Sequence, residues 1–164
     1  KKKFDLNGEL AQIGQKNQII LEQALELFAY RSNKKKSYDV NDFDISFARG
    51  LSLQDGTATL TEFTAAVIAE ELNNSISDFK DKKIQDILVC GGGRKNKILI
   101  QKIQQKLFSN FRIRMIDDFK LNGDFIESQA FGFLAIRAYK NLPISFPSTT
   151  GCKKPCVGGE IIEN

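Results

Sequence analysis

The 164-residue sequence contains no histidine. That absence excludes Ser-His-Asp and Cys-His catalysis within the chain, and it removes the commonest metal ligand. Cysteine is scarce as well. Cys90, Cys152 and Cys156 are the only three, and an odd count without a visible secretory signal fits reduced thiols in a cytosolic protein. Cys152 and Cys156 would make half a zinc site, but no second pair completes it. No apolar run approaches the roughly 20 residues of a membrane-spanning helix. No Gly-Lys-Ser/Thr follows a glycine loop, so a Walker A motif is excluded, and Gly-x-Gly-x-x-Gly is missing too. The chain opens at Lys1 without a methionine, as a fragment of a longer protein does.

What is present is the balance of a globular domain: 41% hydrophobic and 27% charged residues. The length suits one core and is short for two. The formal net charge is +4, with lysines grouped at Lys1–Lys3, Lys34–Lys36 and Lys80, Lys82 and Lys83. Such clusters suit a nucleic-acid partner or simply a solvated surface. The lack of interleaved aromatics favours the surface.

The periodicities predict an α/β order. Phe4 to Gly14 reads as a short strand and turn around Asn7-Gly8. Ile19, Ile20, Ala24, Leu27 and Phe28 predict a helix of about three turns. Residues 32–44 read as a loop, and Ser52 as an N-cap. Leu60, Phe63, Val67 and Ile68 mark a long amphipathic helix over 57–72, with Asn73-Asn74-Ser75 as its stop. Ile87, Leu88 and Val89 predict a strand buried on both faces. The alternation of Phe111, Ile113 and Met115 with Arg112 and Arg114 predicts a half-exposed strand. Ile98, Ile100, Ile103 and Leu107 place a helix between these strands, giving a right-handed parallel βαβ unit. A last helix over 124–139 is apolar on much of its circumference and is expected to be largely buried. Residues 149–162 read as turns plus a short strand.

The chemistry-bearing feature is Gly91-Gly92-Gly93, between the apolar strand and the next helix. Glycines let the backbone bend sharply and approach a ligand. The helix after them offers free N–H groups and a positive dipole end, which favour phosphate. On these residues alone, a nucleotide-phosphate site and an empty bend are equal readings. Asn96 either contacts the ligand or caps the helix, and chemistry alone prefers the cap. Glu127 lies on an apolar stripe with Phe131, Leu134 and Ala138, which suggests a ligand contact. Asp124-x-x-Glu127 also has capping-box spacing, and that reading leads on sequence physics. Thr149-Thr150-Gly151 reads as a polar turn.

Several strings in order resemble the C-terminal part of the anhydro-N-acetylmuramic acid kinase family. They are Phe4-Asp5-Leu6-Asn7-Gly8-Glu9-Leu10-Ala11, Lys36-Ser37 with Phe43, and Asp55 followed by Ala58-Thr59-Leu60-Thr61-Glu62-Phe63-Thr64-Ala65. Val89-Cys90-Gly91-Gly92-Gly93 with Asn96, Glu127-Ser128-Gln129-Ala130-Phe131, and Thr150-Gly151 complete the series.

The resemblance implies a ribonuclease H-like, actin-like ATPase domain: a central mixed sheet flanked by helices, in one domain over residues 1–164. That domain would be the C-terminal, nucleotide-binding lobe of a two-domain sugar kinase, with the N-terminal lobe absent from this chain. The resemblance implies ATP and Mg²⁺ as cofactors and an anhydro-amino-sugar as substrate. It also implies a possible homodimer and a cytoplasmic location, with neither nucleic acid nor membrane as partner. Gly91, Gly92, Gly93 and Asn96 become nucleotide contacts, and Glu127 a substrate contact. The family's catalytic aspartate lies in an Asp-Thr-Gly-Pro-Gly-Asn motif. No Gly-Pro-Gly occurs here, so no catalytic residue is assigned and the chain alone is expected to be inactive.

Two departures stand out. Arg94 and Lys95 follow the glycines where a small residue is usual, either touching phosphate or narrowing the pocket. The Lys36-Ser37 string runs into Tyr38-Asp39-Val40-Asn41 instead of Thr-Gly-Arg-Glu. A non-catalytic, decayed kinase lobe and a basic nucleic-acid-binding domain are the rival readings.

Overall fold

The computed structural model describes residues 4–32, 38–76, 84–160 and 162. The three lysine clusters and the Lys36-Ser37 string lie outside the described residues.

Helix α3 (Leu53–Ile76) is the axis of the domain. Ser52 Oγ accepts the Asp55 N–H at 3.1 Å, as an N-cap does. The helix runs through Asn73-Asn74-Ser75 rather than stopping there. The Asn73 side chain bonds the Lys106 carbonyl and the Phe108 N–H instead of ending the helix.

One flank of α3 carries Phe63 and Val67 onto Leu21 and Ala24 of α2 (Gln18–Ser32). The other flank is lined by Ala65 and Ala69, whose small side chains let α4 (Lys97–Lys106) and the sheet approach closely. Ile103, Leu107 and Phe111 close that second core. Thr59 is fully buried between the flanks. Its hydroxyl donates to the Asp55 carbonyl at 2.7 Å and accepts the Asn17 N–H at 3.0 Å, so no polar group is stranded.

The chain between Phe4 and Gly14 is helical, which corrects the expected strand. Asn7 and Gly8 both have positive φ, 57° and 81°. That left-handed pair turns the chain directly into α1 (Glu9–Ile13). The Asp5 carboxylate accepts the Leu10 and Ala11 N–H groups and fixes this entry. Asn-Gly serves a hairpin or a helix entry equally well, and here the aspartate decides.

The βαβ unit stands as expected. Strands β1 (Gln85–Val89) and β2 (Phe111–Met115) pair in parallel, with Ile87 opposite Ile113. The expected central mixed sheet is, among the described residues, this two-stranded parallel sheet plus an antiparallel bridge between Ser145 and Cys156. Among the described residues that bridge is all that forms of the expected strand in the tail. β1 is also covered on only one face: Ile87 packs on the core, whereas Leu88 is 47% exposed. On the open face Asp86 pairs with Arg112 and Arg114 across the ladder, a cross-strand match that needs no apolar cover.

Helix α5 (Ile126–Tyr139) departs most from expectation. It contains no buried residue. Phe131, Phe133, Ile136 and Tyr139 are each more than half exposed, with Tyr139 at 75%. No other helix or strand of the described residues packs extensively against it. The expected burial is therefore wrong for the described residues: the apolar side chains are present, Leu134 and Ala138 are partly buried, and most of the rest are left uncovered among them. A tail held by the Ser145–Cys156 bridge and the short helix α6 (Pro147–Thr150) comes after α5.

Candidate functional site

The glycine turn sits where β1 ends, at the carboxyl edge of the parallel sheet, the edge at which open α/β sheets bind ligands. Gly91 has φ 75° and ψ 177°, a conformation that favours glycine. Gly92 and Gly93 then begin a 3-10 turn through Lys95. No carbonyl of that turn precedes their N–H groups. A Cβ built on any of the three glycines would meet no atom within 4 Å. The turn thus faces open space, and packing does not explain why it is glycine.

Asn96 has extended backbone geometry, and its Oδ1 accepts the Leu99 N–H at 3.0 Å. The preferred cap reading is what the structure shows. The Asn96 amide N–H groups remain as donors, because the cap uses only the oxygen.

Arg94 takes neither of its expected roles. Its side chain is 7% exposed and turned into the protein. Nε and Nη2 donate to the two oxygens of Asp117 at 2.7 and 3.0 Å. Nη1 donates to Asp124 at 2.7 Å and to the Gly91 carbonyl at 2.8 Å. A guanidinium engaged in a planar fork with two carboxylates is not available to phosphate. Hydrogen bonds from Arg94 hold Asp117 down to about 2, against a smaller opposing effect of burial. Arg94 holds Asp124 below its usual range too, with Lys95 second. The Lys95 ammonium lies 2.8 Å from Asp124.

This ion-pair node ties three segments together: the glycine turn after β1, the 3-10 turn Ile116–Phe119 after β2, and the approach to α5. The Gly91 N–H donates to the Gly123 carbonyl at 2.9 Å and strengthens the same junction. Sequence reading missed the node. Asp117 and Asp124 lie 23 and 30 residues beyond Arg94, and no local spacing pairs them.

Glu127 lies in the first turn of α5 and is exposed. The expected capping box with Asp124 does not form. The N-cap of α5 is Phe125, with no side-chain cap hydrogen bond, and the Asp124 carboxylate is committed to Arg94 and Lys95. The Arg94 node joins the glycine turn to Asp117 and to Asp124, which leads into α5, and Asn96 follows the same turn as the N-cap of α4. Glu127 itself lies one turn beyond the node, near the positive helix end, and its carboxylate has no hydrogen bond or ion pair among the described residues.

A second polar cluster was also missed. Glu62 of α3 is 4% exposed, with Lys106, Lys102 and Lys16 at 2.6, 2.9 and 3.7 Å from its carboxylate. Burial pushes the Glu62 carboxyl up, but Lys106 and Lys102 outweigh it and bring it down to about 2. The available signal was a glutamate next to Phe63 on the buried flank of α3, facing lysines four apart on α4.

No group of three or more Asp, Glu or Cys side chains that could hold a metal occurs among the described residues. No helix among them is long and apolar enough to cross a membrane. Thr149 and Thr150 end helix α6, and Gly151 at φ 73° succeeds them as its C-cap.

A family model described as anhydro-N-acetylmuramic acid kinase matches residues 1–164. A relative named anhydro-N-acetylmuramic acid kinase from Pelagibacter ubique is 47% identical over 163 residues, covering 99% of this chain and 43% of the relative. The kinase of that name from Zymomonas mobilis is 36% identical over 158 residues, covering 96% of this chain and 41% of its own length. Anhydro-N-acetylmuramic acid kinase 1 from Jannaschia sp. is 40% identical, covering 94% of this chain and 40% of its own length. The chain spans about two-fifths of the length of these curated relatives. The chain belongs to the anhydro-N-acetylmuramic acid kinase family.

Proposed function

We propose that this chain is the C-terminal, nucleotide-binding lobe of a two-lobe kinase that phosphorylates 1,6-anhydro-N-acetylmuramic acid with ATP. In the family reaction the sugar 6-oxygen receives the phosphoryl group while water opens the anhydro ring. The product is N-acetylmuramic acid 6-phosphate, an intermediate of peptidoglycan recycling in the cytoplasm. One observation carries the reading: three consecutive glycines at the carboxyl edge of a parallel sheet face open space, in a chain of this kinase family.

The roles rest on the chemistry of each group. The N–H groups of Gly92 and Gly93 and the N-terminal end of α4 bind the nucleotide phosphates. The Asn96 amide donates to the same ligand while its oxygen caps α4. The Glu127 carboxylate accepts a hydroxyl hydrogen bond from the sugar and orients it. The Arg94 node keeps these groups in register by fixing the turn to the approach of α5. No group of three or more Asp, Glu or Cys side chains among the described residues could hold Mg²⁺; the metal would be carried by the nucleotide phosphates. The base that activates water belongs to the Asp-Thr-Gly-Pro-Gly-Asn motif, which this sequence lacks. In this reading the chain by itself turns over no sugar.

The direct test incubates the full-length protein with ATP·Mg²⁺ and the anhydro sugar and looks for the sugar phosphate by mass spectrometry. Its absence rejects the enzymatic claim. Gly92→Val tests the site itself. The added side chain enters open space in the protein, so the thermal midpoint should hold, while the ATP dissociation constant rises about tenfold or more, a loss of about 1.4 kcal/mol or more. Unchanged affinity in the folded variant refutes the phosphate site.

Glu127→Gln separates substrate contact from stability. With no capping box to lose, its melting temperature should match the parent. Sugar turnover should fall about 10- to 100-fold, as expected for one charge-assisted hydrogen bond.

A further inference from the structure

The tail after α5 carries two thiols that the kinase reading does not use. Ser145 and Cys156 form an antiparallel bridge: the Cys156 N–H donates to the Ser145 carbonyl at 3.1 Å, and the Ser145 N–H to the Cys156 carbonyl at 3.3 Å. Directly opposed residues in such a pair place their Cβ atoms about 4.5–5.5 Å apart on the same face. The Ser145 hydroxyl donates to Cys152 Sγ at 3.7 Å. Ser145 therefore gathers both cysteines, one through its side chain and the other through its backbone.

We infer that Cys152 and Cys156 are a reversible dithiol–disulfide pair that reacts with hydroperoxides, Cys152 attacking and Cys156 resolving. Cys152 is partly exposed and Cys156 exposed, so a small peroxide reaches both. The Cys152 thiol is held below its usual range, first by the hydrogen bond with Thr150, then by those with Ser145 and Cys156, against an opposing effect of burial.

In the first step the Cys152 thiolate attacks one peroxide oxygen. The O–O bond breaks, the hydroperoxide's other oxygen leaves as alkoxide (hydroxide from hydrogen peroxide) and takes a proton from water, and the sulfur becomes a sulfenic acid. In the second step the Cys156 sulfur attacks Cys152. The S–S bond forms, the S–O bond breaks, and the departing hydroxide takes the thiol proton as water. Overall two thiols lose two electrons and the hydroperoxide is reduced by two.

The inference stands apart from the sugar-kinase reading, and its test needs no turnover. The full-length protein is treated with hydrogen peroxide, its remaining thiols are alkylated, and the peptides are mapped by mass spectrometry. A Cys152–Cys156 link that dithiothreitol reverses is expected, with Cys152 reacting about fivefold or more faster than Cys90. Cys156→Ser should abolish the link and leave Cys152 as a sulfenic acid that dimedone traps. Oxidation of Cys90 ahead of Cys152, links only between separate molecules, or no dimedone adduct on Cys152 in Cys156→Ser would each overturn the assignment.

Discussion

Gly14→Ala is expected to destabilise the domain by about 3 kcal/mol, near the upper end for overpacking a tight contact. Gly14 comes directly after α1 with φ −80°, so backbone strain is not the reason. The reason is approach. A Cβ on Gly14 would overlap the backbone carbonyl of Gln54 at the start of α3. The obstacle is main chain, which no rotamer change can relieve, so α1 and α3 would have to separate. The same junction holds the Gln15 N–H on Asp55 at 2.8 Å and the Asn17 N–H on Thr59. Separation would strip both bonds and expose the fully buried Thr59. Chemical denaturation should show a lower midpoint for Gly14→Ala. A midpoint equal to the parent would mean that the two helices are not in this contact.

Glu62→Ala should cost about 2–3 kcal/mol, somewhat under the usual range for breaking a buried ion pair. The reduction reflects the lysines. Lys16, Lys102 and Lys106 are each about a third or more exposed and can turn to water once the carboxylate is gone. What is lost is the pin between α3 and α4, the carboxylate that Lys102 and Lys106 share.

The acid dependence stems from the same group. The Glu62 carboxyl falls from 4.5 to about 2 in the folded protein. A depressed carboxyl gives its stabilisation in full above the unfolded value and loses it as pH falls through the folded one. Stability should therefore decline between about pH 4.5 and 2, with Asp117 contributing in an overlapping window. Urea melts of Glu62→Gln across that range should show a shallower decline than the parent. Parallel curves would remove Glu62 from the acid response.

The legible parts of the fold were those whose signals are local. The βαβ unit could be read because an apolar run, a glycine triplet and a 3.6-residue period succeed one another without interruption. Ser52 and Asn96 could be read as caps because their bonds span three residues. The misreadings share a different cause. Asn7-Gly8 marks a reversal but does not specify the next element, and Asp5 settled the question through bonds five and six residues away. Leu88 belongs to an apolar run, yet its face is set by Asp86 and the arginines of a strand more than twenty residues later.

Arg94 shows the limit in the candidate site. Beside three glycines its charge suggests phosphate, and only the distant carboxylates reveal a structural fork. Gly91–Gly93, Asn96 and Glu127 could be picked out by residue type and place. The node that arranges them could not.

Helix α5 also decides how this chain behaves in a test tube. Phe131, Phe133, Ile136 and Tyr139 give it an exposed greasy surface, of the kind that promotes association. Prepared without the rest of a kinase-length polypeptide, the chain should bind a fluorescent hydrophobic dye strongly and associate as its concentration rises. Scattering should increase in salting-out buffers, which strengthen apolar contact. Replacing Phe131 and Tyr139 with serine should quench the dye signal and raise the solubility limit while the melting temperature barely moves, because those side chains touch little that holds the fold together.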